Sequence, residues 1–340
     1  MTSPNAGLAA ALDAVAPVFL KARRVVLTTH VNPDGDGIGS EVALASWLCD
    51  RGAAVTVINT SPLPVVYRFL DPGGSILRFD AARDASAIAS ADTIAVLDTN
   101  HPDRLRTMRD AVAASRAVKV CIDHHLDPAP FADFFVIDDD ATSTGELIYR
   151  LLLRLHGSAL SPDVATGLYC AIMTDTGSFR YPRVDPETHE IAGHLIECGA
   201  DPVRIFSEVY ERWTPGRLRL LGKVLSGLTT EAEGRIAQVA VTRGMLAETG
   251  TTEEDTDNFT TYPMSLQGVE IGILFLEAEQ GVKISVRSRG DIPANEICRA
   301  FGGNGHKNAA GARVENITLG ELRPNVIATA RRYLPNHRRT

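Results

Sequence analysis

The sequence predicts a two-domain α/β protein, in which a doubly wound, mainly parallel sheet is followed by a smaller α+β domain. Three observations carry this. At 340 residues with 44% hydrophobic side chains, the chain has apolar content for two cores. Short continuous apolar runs alternate with helical segments through the first part, the signature of parallel strands covered on both faces. From about Gly234 the texture changes to longer strands with few helices between them.

Taken in order, MTSPNAGLAAALDAVAPVFLKARR spaces its leucines and alanines as an amphipathic helix. It lacks a basic start before its apolar stretch, and Asp13 interrupts that stretch, so a cleaved leader is not expected. RRVVLTTH (23–30) reads as a strand, IGSEVALASWLCDRG as a helix and AAVTVIN (53–59) as the next strand. TIAVLD (93–98), a helix around 102–115 and VKVCID (118–123) continue the alternation. Helices follow over Ser143–His156, Ser161–Met173 and Pro186–Cys198. Two more, Pro202–Arg212 and Pro215–Leu228, are rich in charge and free of chemical motifs, which suits a connector or hinge. RIAQVAVT, VEIGILFLE and VKISVRSR read as strands in hairpin-like succession, with an acidic loop at Glu253–Asp257. A short helix (Pro293–Phe301), a glycine-rich turn (Gly302–Gly305) and a final helix (Leu319–Tyr333) complete the chain. The expected divisions are residues 1–200, a connector at 201–229 and a second domain at 230–340.

Composition narrows the function. Lys and Arg number 34 against 42 Asp and Glu, a net charge of −8. Proteins that coat long nucleic acid carry basic excess, because phosphate neutralisation supplies much of their affinity, so long duplexes are poor partners. The five cysteines (Cys49, Cys121, Cys170, Cys198, Cys298) are scattered and never spaced C-x-x-C, which argues against disulfides and thiolate zinc. No run approaches the roughly 18 apolar residues that would span a bilayer. A cytoplasmic protein without a membrane partner is expected.

The chemistry concentrates at strand ends, where α/β sheets bind their ligands. HVNPDGDGIGS places His30 at the end of a strand and Asp34 and Asp36 in the following Pro/Gly-rich turn, where each carboxylate can face a different cation. A solvated Asx turn would have the same composition. Asp98 closes the apolar run TIAVLD, and Asp123-His124-His125 closes VKVCID. Adjacent histidines point in different directions, so one can bind metal while the other faces substrate, and Asp123 can orient an imidazole from behind. Asp175 ends an apolar helix in CAIMTDTGSFRY.

Five aspartates gathered in one crevice would repel one another and hold protons unless cations neutralised them. Two divalent cations answer five negative charges and predict a dinuclear centre whose bridging water is nucleophilic at neutral pH. Oxygen and imidazole donors without thiolate favour Mn²⁺, with Mg²⁺, Co²⁺ and Zn²⁺ as alternatives. A second feature, FGGNGHKNAAG, places Gly303, Asn304 and Gly305 before His306 and Lys307, so that backbone amides could converge on an anion. Between Lys283 and Arg313 six basic residues stand against Asp291 and Glu296, and Arg287 and Arg289 alternate on one strand face. A local basic patch of this kind fits a small phosphate-bearing substrate.

These motifs resemble, in order, those of the DHH phosphoesterase family and its DHH-associated C-terminal domain, over nearly the whole chain. HVNPDGDGIGS, VLD, IDHH and MTDTGSFRY match the catalytic motifs, and FGGNGHKNAAG matches the glycine-rich signature of the second domain. The nearest likeness is to its NrnA-like subgroup, which degrades nanoRNA and dephosphorylates 3′-phosphoadenosine 5′-phosphate (pAp). The resemblance implies one metal on His30, Asp34 and Asp98 and another on Asp36, Asp98, His124 and Asp175. It gives His125 the reacting phosphate or leaving group, with Asp123 in support. Arg287, Arg289, His306 and the 302–305 loop would hold the substrate across a cleft between the domains, and the protein would be a homodimer. Asn304 stands where the subgroup usually has glycine. A RecJ-like exonuclease, a family II pyrophosphatase, a cyclic-dinucleotide phosphodiesterase and a nucleotide-sensing binding module are the alternative readings.

Overall fold

The computed structural model describes residues 6–335, without the side chains of His156 and His306. The chain divides into two compact units, Met1–Arg212 and Trp213–Thr340. The two helices of the expected connector therefore fall in different units.

The first unit runs α1 (Ala6–Lys21), β1 (Arg24–Thr28), α2 (Gly35–Asp50), β2 (Ala54–Asn59), β3 (Ile76–Arg78), α3 (Ala81–Ser90) and β4 (Thr93–Leu97). It continues with α4 (Arg109–Ala114), β5 (Val118–Asp123), β6 (Phe134–Ile137), α5 (Thr144–His156), α6 (Pro162–Asp175), α7 (Pro186–Glu197) and α8 (Pro202–Tyr210). Its six strands are all parallel, in the order β3-β2-β1-β4-β5-β6. Alternate residues of each strand serve opposite faces. Val25, Leu27, Leu97 and Ile122 pack under α1, α2, α5 and α6, while Val26, Ile94 and Val96 pack against Ile88, Met108 and Val112. The strand order reverses between β1 and β4, so the loops leaving these neighbours splay apart and open a crevice at the carboxyl edge.

Two expectations are corrected here. Asp36 lies in the first turn of α2 and not in a loop, because Asp34 caps that helix by accepting the amides of Asp36 and Gly37. The strands at both sheet edges, β3 and β6, escaped the sequence reading because they are only three and four residues long.

The second unit contains α9 (Pro215–Ser226), β7 (Thr229–Glu231), β8 (Ile236–Val241), α10 (Arg243–Thr249), α11 (Thr261–Met264), β9 (Ile271–Ala278) and β10 (Gly281–Ser288). It ends with α12 (Ala294–Arg299), β11 (Asn304–His306), β12 (Ala309–Val314) and α13 (Leu319–Arg332). The sheet order is β11-β12-β10-β9-β8-β7. β9 and β10 form a hairpin, but β8 pairs parallel to β9, which corrects the expected run of hairpins. The intervening segment makes the crossover, and its acidic stretch is a 3₁₀ turn, Glu253–Thr256, not an open loop. Among the described residues no helix is long and apolar enough to cross a membrane.

Candidate metal centre

The centre is assembled by backbone devices that aim carboxylates at one another. β4 ends at Leu97, and Asp98 then adopts φ +58°, a left-handed conformation that turns the chain off the sheet. Non-glycine residues rarely hold it, and Asp is among the more tolerant. The Asp98 amide still donates to Ile122 O at 3.0 Å, so the turn is anchored to the neighbouring strand. α2 and α6 approach closely enough that a Cβ on Gly39 would meet Gly167 O at 2.4 Å, and one on Gly35 would meet the Thr174 hydroxyl at 2.4 Å. That contact brings Asp36, in the first turn of α2, beside Asp175, the last residue of α6.

Asp98 is fully buried and central. One oxygen, Oδ2, faces His30 Nε2 at 3.2 Å. The other, Oδ1, accepts from Thr144 Oγ1 at 3.2 Å and lies 3.8 Å from His124 Nε2. On the first side Asp34 Oδ1 stands 3.9 Å from His30 Nε2. On the second side His124 Nε2 is 3.7 Å from Asp36 Oδ2 and 3.4 Å from Asp175 Oδ2. The donor atoms of His30, Asp34 and Asp98 lie within 4.8 Å of one another, as do those of Asp36, His124 and Asp175, and those of Asp98, Asp123, His124 and His125.

Each imidazole is oriented from behind. His30 Nδ1 bonds Val31 O at 2.8 Å and His124 Nδ1 bonds Ala141 O at 3.2 Å, so both Nδ1 atoms carry the proton and both Nε2 lone pairs face the carboxylates. His125 Nδ1 donates to Asp123 Oδ1 at 2.6 Å, an oxygen that also accepts the His124 amide at 2.8 Å. Asp36 is held by the first amides of α5, with Thr144 N at 2.7 Å and Gly145 N at 2.8 Å. Thr144 thus touches both Asp36 and Asp98. The helix start at Ser143 was legible, but nothing in the sequence says that the amides behind it receive a carboxylate 108 residues away.

The electrostatics match the donor set. Burial, then repulsion from Asp98, Asp175 and Asp34, holds the Asp36 carboxyl well above the usual range. Asp98 is pushed up in the same way by burial and by Asp34, Asp123 and Asp175, while Asp175 rises to about 6 chiefly through burial. His30 is lowered, first by burial. Asp34, whose side chain is exposed, is held low by the His30 ring, the amides of Gly37 and Asp36 and the Arg104 guanidinium. Crowded carboxylates with raised proton affinity, facing imidazole lone pairs and no thiolate, fit hard or borderline divalent cations.

The remaining singled-out residues belong to the second unit. Arg287 is half-buried on the face of β10 that also carries Lys283 and Ser285. Arg289 lies one residue beyond β10 and donates to Met264 O at 2.6 Å. The glycine loop departs from the expected anion cradle. Asn304–His306 is a short strand on β12, Gly303 N bonds Cys298 O at 2.9 Å, and Gly305 N bonds the Asn304 side chain at 2.8 Å. One of these amides is spent on the end of α12 and the other within the loop. Gly302 and Gly305 do take the positive φ expected of them, +75° and +149°, and the loop also packs closely, since a Cβ on Gly303 would meet Gly311 O at 2.2 Å and one on Gly305 would meet Ala309 O at 2.5 Å. The His306 side chain lies outside what the structure describes. The basic patch is also less open than its count suggests, because Lys283 and Arg313 both contact Glu253, Lys307 contacts Asp291 and Arg299 contacts Glu296.

Comparison with known proteins follows the same division. The N-terminal domain of the DHH family matches residues 24–172, and the DHHA1 domain matches residues 236–336. The chain is 28% identical to the bifunctional oligoribonuclease and PAP phosphatase NrnA of Thermus thermophilus, over 91% of this chain and 90% of that protein. It is 27% identical to the protein of the same name from Bacillus subtilis, over 85% and 89%. The crystal structure of an exopolyphosphatase-related protein from Bacteroides fragilis superposes with a TM-score of 0.91 at 32% identity, covering 96% of each chain.

Proposed function

This chain belongs to the DHH family and carries a DHHA1 domain, and on that premise we propose that it is a dimetal phosphoesterase acting on very short RNA and on pAp. RNA of two to five nucleotides, including linear dinucleotides such as pApA, would be cut to mononucleotides, and pAp to AMP and phosphate. The observation that carries the reading is the split of Asp98, whose two oxygens face two different histidine-containing clusters. The substrate class rests on the two relatives named as oligoribonucleases and PAP phosphatases.

Holding one cation, His30, Asp34 and Asp98 would form one lobe; Asp36, His124, Asp175 and the shared Asp98 would form the other. When bound, two divalent cations supply an activated water and neutralise charge on the phosphoryl oxygens. Mn²⁺ is the first choice, with Mg²⁺ and Co²⁺ next. Asp123 accepts from Nδ1 of His125 and fixes the orientation of that ring, which would turn its other edge toward the phosphoryl or leaving oxygen. Asp36 and Asp98 are fixed by amides and by a hydroxyl, so the donors need not rearrange when substrate arrives. From the second unit, Arg287, Arg289, Asn304 and His306 would hold the substrate's distal phosphate or base, with Gly303 and Gly305 allowing the close packing that places them. The proposal extends to a cytoplasmic homodimer.

The test is a time course on 5′-labelled RNA dimer, RNA 24-mer, pAp and pyrophosphate, each with Mn²⁺ and with EDTA. Rapid, EDTA-sensitive loss of dimer and pAp with slow loss of the 24-mer is the expected result. Fast degradation of the 24-mer would indicate a RecJ-like exonuclease, and hydrolysis of pyrophosphate alone a pyrophosphatase.

A further inference from the structure

The first unit contains a cation that its metal chemistry does not call for. Arg104 sits in the 3₁₀ segment Pro102–Met108, six residues after Asp98. Its carbonyl accepts the amide of Val31 at 2.9 Å, which ties it to the loop carrying His30 and Asp34. The same segment is braced on its other side, where Asn100 donates to His125 O at 2.7 Å and His101 bonds Asp127 O at 2.7 Å. The residue is half-buried. Among the described residues its guanidinium makes no hydrogen bond and no ion pair, in contrast to Arg83, Arg109 and Arg150, which each hold a carboxylate. The backbone bond to Val31 sets Arg104 one residue from His30 across the loop, and its charge acts on His30, Asp34 and Asp98.

A guanidinium beside a site that must gather divalent cations works against their binding by like-charge repulsion. A half-buried one without a carboxylate partner also forgoes the pairing that normally offsets desolvation. Its fork of N–H donors suits the oxygens of a phosphate bidentately. We propose that Arg104 is an anion-binding residue of the first unit, which takes the non-bridging oxygens of the substrate phosphate held over the His30–Asp34–Asp98 lobe. This rests on the phosphoesterase reading, and it places one phosphate contact beside the metal ligands in the first unit, apart from those expected of Arg287 and Arg289.

The experiment compares the full chain with Arg104→Gln, Arg104→Lys and the surface control Arg109→Gln. Two readouts are taken by calorimetry, Mn²⁺ binding and the binding of inorganic phosphate to the Mn²⁺-loaded protein, and a third is kcat/KM on pAp. Arg104→Gln should weaken phosphate binding about tenfold or more and lower kcat/KM about a hundredfold, while Mn²⁺ binds as tightly as before or more tightly. Arg104→Lys, which keeps the charge but loses the fork, should fall between, and Arg109→Gln should match the parent. Unchanged phosphate binding in Arg104→Gln would overturn the inference. So would a parallel loss of Mn²⁺ affinity, which would make Arg104 a support of the loop. If the parent protein hydrolyses neither pAp nor RNA dimer, the substrate reading fails, and the phosphate titration alone still decides the role of Arg104.

Discussion

The two units handle charge in opposite ways. In the first, carboxylates converge: Asp36, Asp98 and Asp175 repel one another, and two amides hold Asp36 while a hydroxyl holds Asp98. In the second, the basic residues are mostly spent locally, Lys283 and Arg313 on Glu253, Lys307 on Asp291 and Arg299 on Glu296. A tight cation site has to be held in repulsion by the rest of the fold. A weak anion surface can stay neutralised until a ligand displaces its partners. The contrast also explains why a net charge of −8 is compatible with an anionic substrate, since local pairing and metal charge decide what each surface attracts.

The severest test of that contrast is Asp98→Asn. Activity should fall by more than about a thousandfold, because one of the two oxygens that divide the centre is lost. In EDTA, however, the variant should melt higher than the parent, since a carboxyl raised by burial and by three neighbouring carboxylates is replaced by a neutral group. With Mn²⁺ added, the parent should gain thermal stability and the variant little. Calorimetric melting with and without metal checks both halves. A less stable metal-free variant would mean that the centre is not held in repulsion.

A smaller effect separates the crevice from the rest of the first unit. Glu41 is fully buried in α2, accepts from Asn59 Nδ2 at 2.8 Å, and has its carboxyl raised to about 8 by burial. Asn59 in turn accepts the amide of Thr29 at 2.9 Å, next to His30. Because the folded carboxyl keeps its proton between the ordinary glutamate range and about 8 while the unfolded one has lost it, stability falls as pH rises through that window. Each pH unit costs about 1.4 kcal/mol. Glu41→Gln lacks this slope. Between pH 5 and pH 8 its stability relative to the parent should improve by about 4 kcal/mol in urea unfolding under EDTA. Parallel pH profiles would show that Glu41 is ionised in the folded protein.

How much of this was legible follows from where each constraint lies. Asp98 and Asp123 stood out because apolar runs end on them, and a strand end is a local fact. Asp36 reads as a turn residue because Gly-Asp-Gly is turn-like by composition, and the cap at Asp34 that starts the helix there has the same residues as an Asx turn. The parallel pairing of β8 with β9 could not be read from either strand, since register and direction are set by the crossover between them. Arg104 carries no motif at all; its meaning comes from the backbone bond that ties it to the loop of His30 and Asp34. The glycine loop is conspicuous for its composition, yet the Gly303 amide bonds the end of α12 and the Gly305 amide the Asn304 side chain, which composition cannot tell.

The least drastic change bears on the second unit. Glu253 bridges Lys283 at 3.1 Å and Arg313 at 2.6 Å, and those two are cross-strand partners on the face of the sheet that also carries Ser285 and Arg287. The glutamate is 37% exposed, so the pair contributes under about 1 kcal/mol to stability. Replacing it by Gln frees two cations without creating a cavity. If this face meets the substrate's distal phosphate, Glu253→Gln should lower KM for pAp by about threefold at low ionic strength and leave kcat unchanged. The gain should fade as added salt shortens the screening length toward about 3 Å at 1 M. Steady-state kinetics across a salt series read both effects. A KM that does not move at low salt would remove Lys283 and Arg313 from the anion-binding face and leave Arg287 as its candidate cation.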